Sequence, residues 1–184
     1  MTIKPILEIH EILCDDIFNE PLETYVLTFD DGLYSQYYNY PKFKSIPTEK
    51  IYFISSSIVC NGPQSTDFIR SRPAHDKAFS GNFEDFMTIE QIKELMQDPL
   101  VSIGAHGHYH KDLTTIEKLA DQVAHIKKDT ELMVEWFKEN LGFVPTKFCF
   151  PYNNNLNGLY EVILKRFGFT EFYGPGRVPT NLEW

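Results

Sequence analysis

The sequence lacks any hydrophobic run long enough to cross a bilayer, and cysteines and basic residues are scarce in it. A membrane-spanning helix needs about 20 consecutive apolar residues, so no transmembrane segment is expected. The 17 Lys and Arg against 26 Asp and Glu give a net charge of −9. This charge argues against nucleic acid or an anionic membrane as the main partner. The three cysteines are odd in number and far apart, which favours reduced thiols over a disulfide framework.

The N-terminus lacks the long apolar segment, ending in small residues, that marks a signal peptide. Acidic Glu8 and Glu11 interrupt it early. Together with the reduced thiols, this predicts a cytoplasmic protein. Internal repeats are absent, and 184 residues suffice for one sizeable core but not for two ordinary domains. We therefore expect one domain over residues 1–184, with an inserted loop at about residues 57–86.

The most informative segment that is present is residues 28–32 (TFDDG). The apolar residues before it predict a buried strand. Neighbours on a strand point to opposite faces, so Asp30 and Asp31 share one environment only if the chain bends, and Gly32 permits that bend. Two carboxylates at the C-terminal end of an α/β strand suit two separate tasks, metal ligand and proton acceptor. The alternative is an exposed turn with two solvated acids.

Three of the six histidines lie within residues 106–110 (HGHYH), directly after a second predicted strand. His106 and His110 are four residues apart, which puts both imidazoles on one side of a helical turn or a tight loop. This spacing suits two ligands of one Zn²⁺, with Asp31 as the natural third. Co²⁺ or Ni²⁺ could occupy the same ligands.

The rest of the chain alternates between predicted strands and helices, as in an α/β protein. Further predicted strands cover residues 50–55, 147–150 and 169–173. The candidate site segments thus follow strands, which is typical of a site built by the loops at one end of a parallel barrel.

Capping patterns predict where two helices begin. Thr88 with Gln91 forms one capping box, and Thr114 with Glu117 forms another. The helix predicted after Thr114 is long, and Gly142 is expected to end it.

Three motifs together resemble those of a known family. Residues 28–32 match Thr-Phe-Asp-Asp-Gly, residues 106–113 match His-x₃-His followed by an apolar residue, and residues 148–152 (FCFPY) match aromatic-x-x-Pro-Tyr. In these motifs and their order, the chain resembles the NodB-type polysaccharide deacetylases (carbohydrate esterase family 4) over roughly residues 5–175. The resemblance implies an α/β fold, a deformed and incomplete (β/α) barrel.

The resemblance also implies a role for each matching residue. Asp31, His106 and His110 would hold a divalent metal, Zn²⁺ or a related ion. Asp30 would be the general base, and the main chain near Tyr152 would stabilise the oxyanion. The expected substrate is an N-acetylated sugar or polysaccharide, and the expected products are acetate and a free amino sugar.

The base-orienting position departs from the family pattern. Many members carry an Arg in the third motif, where this chain has Cys149. Arg177 is a candidate substitute, because a guanidinium can hold a carboxylate through two hydrogen bonds. Equally, Arg177 could be a solvated loop residue.

The position of the general acid also differs from the family pattern. It is usually a histidine near the C-terminus, but this chain has none after His125. One branch, similar to bacterial poly-N-acetylglucosamine deacetylases, is circularly permuted and carries its acid histidine near the N-terminus. His10 resembles that acid. Its alternative is an edge-strand histidine with no chemistry.

Two other regions are less specific. The inserted loop is expected to cap the site and to choose the substrate, with His75 as a surface residue. His108 is expected to support the ligands or to face solvent. The aromatic residues 34–47 are predicted to pack as a satellite core rather than to bind sugar.

Three alternative functions stay open. The first is an O-deacetylase or a deformylase that uses the same metal. The second is a glycan-binding module that kept the motifs without turnover. The third is an interaction protein in which the histidines staple the fold through a metal, so that chelation would unfold it.

Overall fold

The computed structural model describes residues 4–180, and a seven-stranded parallel sheet forms its centre. Across the sheet the strands run in the order β6-β5-β4-β3-β2-β1-β7. The strands are β1 (Ile6–Ile9), β2 (Val26–Phe29), β3 (Lys50–Ile54), β4 (Val101–Ala105), β5 (Lys147–Cys149), β6 (Glu171–Tyr173) and β7 (Val178–Pro179). Every pairing is parallel, so the C-terminal ends of the strands share one edge.

The sheet curls towards closure because its two edge strands are neighbours in the chain. Only residues 174–177 separate β6 from β7. The five steps from Tyr173 to Val178 extend about 18 Å at most, so the two edges approach each other. The fold is an incomplete (β/α) barrel, which confirms the predicted fold class.

In the described part of the chain, six α-helices lie around the sheet. They are α1 (Tyr34–Tyr38), α2 (Tyr40–Lys44), α3 (Ser71–Phe79), α4 (Ile89–Leu95), α5 (Leu119–Leu141) and α6 (Leu159–Leu164). Within residues 4–180, no helix combines the length and the apolar composition that a membrane crossing needs.

The capping predictions had mixed outcomes. The capping box at Thr88 is present and begins α4, and Gly142 ends α5 in the left-handed conformation with φ 80°. The predicted helix start at Thr114 is wrong, because α5 begins only at Leu119. Asp112 accepts hydrogen bonds from the amide and the hydroxyl of Thr114, at 2.9 and 2.6 Å. These bonds favour a short 3₁₀ turn at that point instead of an α-helix.

Aromatic packing supports the end of β2, where the two carboxylates follow. Phe29 stacks on Tyr52 with ring centroids 4.4 Å apart, and Phe43 meets Phe29 edge-on at 4.9 Å. All three side chains are fully buried, and each such burial contributes about 1.5–3 kcal/mol. The aromatic segment does pack in a core, but Phe43 and Tyr40 join the main core and not the predicted satellite core, and Tyr38 is exposed.

Candidate active site

The predicted site residues meet at the C-terminal edge of the sheet. His10 follows β1, Asp30 and Asp31 follow β2, and His106 follows β4. They line an open cleft of about 1100 Å³, to which α3 also contributes. The parallel topology thus brings together segments that lie far apart in the sequence.

Asp31 stands at the centre of a cluster of donor atoms. Its Oδ1 lies 3.3 Å from His106 Nε2 and 3.1 Å from His110 Nε2. All three side chains are buried. Asp31 has φ 75° and Gly32 has φ 78°, so the chain bends after β2 as predicted. A left-handed non-glycine residue costs of order 1–3 kcal/mol and persists where its surroundings hold it.

The histidine segment is a tight loop, not a helical turn. Gly107 and His110 both have positive φ, at 79° and 48°. Asp129 of α5 accepts hydrogen bonds from the amides of His108 and Tyr109, each at 2.9 Å. Asp129 is buried, and its role was not predicted from the sequence. Its only signal there was an acid on the face of α5 that also carries apolar Ile126 and Met133, both buried.

The hydrogen bonds of His106 leave its Nε2 free to coordinate. His106 Nδ1 lies 2.8 Å from the carbonyl oxygen of Cys149. A carbonyl only accepts, so Nδ1 carries a proton and Nε2 is the nitrogen that faces Asp31. Burial lowers the pKa of His106, but Asp31 and Asp30 outweigh burial and raise it overall. Burial lowers the pKa of His110 to about 4, so that ring is neutral at pH 7 and is also a competent ligand.

His75 was predicted to be a surface residue, and this prediction is wrong. Residues 60–86 are not a simple loop, because they contain α3. The helix packs over the site, and His75 is only 5% exposed. Its Nε2 lies 3.7 Å from Asp31 Oδ1, and its ring stacks on that of His110 at 4.2 Å. Ser71, one turn earlier, donates a hydrogen bond of 2.5 Å to Asp31 Oδ2.

The cluster fits a divalent transition metal. Carboxylate oxygen and imidazole nitrogen are the ligands that zinc, cobalt and nickel accept. Among the described residues, Asp31 Oδ1 and His75 Nε2 are buried without a hydrogen-bond partner. A buried carboxylate oxygen that faces imidazole lone pairs is unfavourable unless a cation lies between them.

Asp30 has a different environment, although it is the adjacent residue. Arg177 binds it in a bidentate manner, with Nη1 2.7 Å from Oδ1 and Nη2 2.7 Å from Oδ2. Burial raises the pKa of Asp30, but Arg177, with His106 and His10, outweighs burial and the net shift is downward. The expected contact is present, and the alternative of a solvated Arg177 is wrong because the residue is 8% exposed. The catalytic roles of both residues stay predictions.

Arg177 has further polar partners besides Asp30, among them Thr28 and Gly174. Its Nη2 also donates to Glu8 Oε1 at 2.7 Å and to Asn153 Oδ1 at 2.8 Å. Asn153 in turn donates to Glu8 at 2.9 Å. Glu8 and Asn153 were not predicted as site residues. Glu8 alternates with inward apolar residues on β1, but no local pattern connects it to a residue 169 positions away.

Cys149 occupies the position of the arginine that the third motif lacks. Its thiol donates to Asp30 Oδ2 at 3.3 Å. Burial raises the pKa of this thiol well above its usual range, so it stays protonated and can act only as a weak donor. The bidentate charged contact to Asp30 therefore comes from Arg177 and not from Cys149.

His10 lies at the mouth of the cleft. It follows β1, which pairs with both β2 and β7, so it does not belong to an edge strand. Its Nε2 is 3.9 Å from both Asp30 Oδ2 and Glu8 Oε1. Burial lowers the pKa of His10, but Asp31, Asp30 and Glu8 outweigh burial and raise it overall. This direction suits a proton donor, and its role as general acid stays a prediction.

Tyr152 lines the cleft and is exposed. It adopts φ 57°, and its ring centroid is 5.0 Å from that of His110. Like Asp31 and His110, it is a non-glycine residue in a left-handed conformation at the site. The oxyanion role of its main chain stays a prediction. His108 does not join the donor cluster, since its Nδ1 lies 2.9 Å from Ser56 Oγ.

Comparison with known proteins defines the class. The family model of the polysaccharide deacetylases matches residues 19–172, so the chain belongs to this family. No curated protein sequence gives a significant match.

Solved structures share the fold. The structure of IcaB from Ammonifex degensii is 20% identical, with a TM-score of 0.70 over 97% of this chain and 92% of that chain. A de-N-acetylase from Aggregatibacter actinomycetemcomitans is 15% identical, with a TM-score of 0.67 over 96% and 93%. The deacetylase PplD of Streptococcus pyogenes, in complex with acetate, is 14% identical, with a TM-score of 0.63 over 90% and 80%. These similarities show that the chain shares the fold of these deacetylases.

Proposed function

We propose that the protein is a metal-dependent deacetylase that hydrolyses the N-acetyl group of an amino sugar in a glycan or glycan precursor. The observation that carries this proposal is the division of work between two adjacent carboxylates. Asp31 faces imidazole nitrogens, whereas Asp30 faces a guanidinium and the open cleft. Amide hydrolysis needs both a metal ligand set and a separate base.

The metal would be held by Asp31, His106 and His110. When bound, such an ion supplies a Lewis acid that polarises a carbonyl and acidifies water. Asp30 accepts the proton of the attacking water. Arg177 keeps Asp30 ionised at neutral pH and fixes the direction of its oxygens.

His10 provides the proton for the departing amine. An amide nitrogen leaves poorly unless it is protonated, and His10 stands at the cleft mouth beside Asp30. The backbone N–H near Tyr152 is proposed to hydrogen-bond the developing oxyanion. The nitrogen keeps its sugar, the acyl group leaves as acetate, and the product gains an amine.

The shape of the cleft favours a glycan over a small metabolite. It is open and has room for more than one sugar ring. Its rim carries charges of both signs, from Arg70, Arg72, Asp76 and Asp112, which can hydrogen-bond sugar hydroxyls. We also propose a cytoplasmic location, because Cys14, Cys60 and Cys149 are free thiols.

Acetate release tests the proposal. Metal-free protein is incubated with N-acetylated amino-sugar oligomers, with matched O-acetyl sugars and with N-formyl sugars, before and after addition of Zn²⁺. We expect metal-dependent acetate release from the N-acetyl substrates, and its loss in Asp30→Asn. Turnover of the O-acetyl or N-formyl sugars alone would assign the alternative hydrolases, and binding without turnover would assign a glycan-binding module.

A further inference from the structure

We propose that His75 is a fourth metal ligand, which α3 adds to the site formed by Asp31, His106 and His110. This inference rests on the proposed function only in that it uses the same metal site. On this proposal, residues 60–86 supply a metal ligand as well as covering the cleft.

The distances around Asp31 Oδ1 fit a four-ligand site. His110, His106 and His75 place an Nε2 atom 3.1, 3.3 and 3.7 Å away. Zinc bonds of about 2.0–2.1 Å in a tetrahedron put neighbouring ligand atoms about 3.3 Å apart. The three distances scatter around that value, so each of the three nitrogens lies from Asp31 Oδ1 at the separation of two ligands of one ion. Asp31, His75 and His110 also bring their ligand atoms within 4.8 Å of one another.

The orientation of His75 is set by its own helix. Its Nδ1 lies 2.9 Å from the carbonyl oxygen of Ser71, so Nδ1 carries the proton and Nε2 has only a lone pair. That lone pair points towards Asp31 Oδ1, which also only accepts. Neither atom has a hydrogen-bond partner among the described residues, and both are buried. A cation between them satisfies both atoms at once.

Contacts of Ser71 hold the start of α3 against the site. Its hydroxyl donates to Asp31 Oδ2, and its amide donates to Glu11 at 3.1 Å. The first turn of α3 is therefore tied both to the carboxylate of the cluster and to the segment after β1. Because these contacts fix the first turn of α3, they also fix the position of His75, which lies one turn later in the same helix.

A purely structural role explains less. The ring of His75 also packs against Phe86 edge-on, with centroids 5.4 Å apart. An apolar ring would make that contact equally well, without leaving a nitrogen buried and unpaired. A bound cation would give this nitrogen the partner that it lacks among the described residues.

A fourth protein ligand has a chemical consequence. Catalytic zinc sites usually keep three protein ligands and an open position, and some expand to five-coordinate. With His75 bound, water must either join as a fifth ligand or replace the imidazole. His75 thus raises metal affinity and limits access to the ion.

Cobalt binding tests the assignment without any measurement of activity. Metal-free wild type, His75→Ala, His75→Phe and His106→Ala are titrated with Co²⁺ by visible absorption, and affinities are measured by competition with a chelator. His75→Phe keeps the ring that packs on Phe86 and removes only the nitrogen. His108→Ala is the matched control, since it lies in the same loop outside the cluster. Circular dichroism checks that each variant is folded.

We expect His75→Phe to weaken Co²⁺ binding at least about 10-fold, the lower end of what even outer-shell partners of a metal contribute. Its absorption bands should also change in position and intensity, because the coordination number falls. An affinity and a spectrum equal to those of wild type would overturn the assignment of His75. If His106→Ala abolishes binding in the same series, the proposed function survives that result. Failure of wild type to bind Co²⁺ or Zn²⁺ would overturn both.

Discussion

Asp30 and Asp31 are adjacent in the sequence, yet they belong to two different chemical environments. Asp31 faces three imidazoles and a serine hydroxyl, all from loops and a helix over the site. Asp30 faces Arg177, which lies on the other side of the site in the segment that joins β6 to β7. The difference shows that one peptide unit at a strand end suffices to give two adjacent carboxylates different partners, provided that the backbone bends there.

The largest expected effect is on the Asp31 side. Replacement of Asp31, His106 or His110 by Ala should remove the bound ion and abolish activity, because each change deletes one ligand. The fold should survive, since these side chains lie at the sheet edge and not in the apolar core. Metal content per chain and circular dichroism are the measurements. Normal zinc content in both His106→Ala and His110→Ala would contradict the site.

The next effect is on the Asp30 side. Asp30→Asn should keep the metal and lower kcat by about 10²-fold or more, the range that general acid–base groups contribute. The change removes the proton acceptor but leaves the shape of the side chain. Metal content, measured in parallel with kcat, distinguishes the two carboxylates. Loss of the ion in Asp30→Asn would contradict the proposal that Asp31 binds the metal while Asp30 acts only as the base.

Arg177 sharpens the comparison, because it touches only the Asp30 side. Arg177→Ala should lower kcat with little change in metal content, and Arg177→Lys should restore only part of it, since Lys cannot bind both carboxylate oxygens in parallel. Arg177→Ala also leaves Asp30 and Glu8 buried without their cation. Loss of one partner of a buried pair costs about 3–5 kcal/mol, which urea unfolding can measure. Equal kcat in Arg177→Ala and wild type would remove Arg177 from the mechanism.

His10 tests whether the Asp30 side also contains the proton donor. His10→Ala should keep the metal and lose turnover chiefly on amides, because an activated ester has a leaving group that needs no proton. The carboxylates nearby raise the pKa of His10 above 6.5. An acid must be protonated, so wild-type activity on amides should fall as pH rises through that pKa, and the variant should lack this limb. Equal losses on amide and activated ester would exclude the acid role.

The smallest effect is expected from Asp129, which acts on the Asp31 side through the backbone. Asp129→Asn keeps one acceptor for the amides of His108 and Tyr109 but loses the charge. Hydrogen bonds to charged groups contribute about 1.5–3 kcal/mol, so part of that amount should disappear from unfolding free energy. Zinc affinity should weaken by less than the loss of a ligand causes. A metal affinity as poor as that of His110→Ala would mean that Asp129 does more than hold the loop.

Local patterns predicted the fold well where strands and turns depend on neighbouring residues. The strand before Asp30, the capping box at Thr88 and the stop at Gly142 are all present. The same method failed at Thr114, because Asp112 accepts a hydrogen bond from its amide. The local pattern did not show which of the two residues, Asp112 or Thr114, would act as the cap. Spacing alone was enough to propose that His106 and His110 act together, since they lie in one loop.

Contacts across the barrel were harder to predict. Arg177 was named as a candidate for Asp30, but a solvated arginine was equally consistent with the sequence. Only the closure of the sheet through residues 174–177 brings its guanidinium to a carboxylate 147 positions away. His75 was assigned to the surface because most of its neighbours in the sequence are polar. The structure shows that it lies on the buried face of α3, with Ala74 and Ala78.

The sequence by itself determined which strand ends carry chemistry, and it separated Asp30 from Asp31 through the glycine that follows them. These features are local, so they follow from side-chain alternation, backbone freedom and capping within a few residues. The tertiary structure alone decided what each carboxylate faces: Arg177, Glu8 and Asn153 on one side, and His75 with Ser71 on the other. These partners depend on the curl of the sheet and on the packing of α3, which arise from burial over the whole chain and leave no periodic signal at the residues themselves.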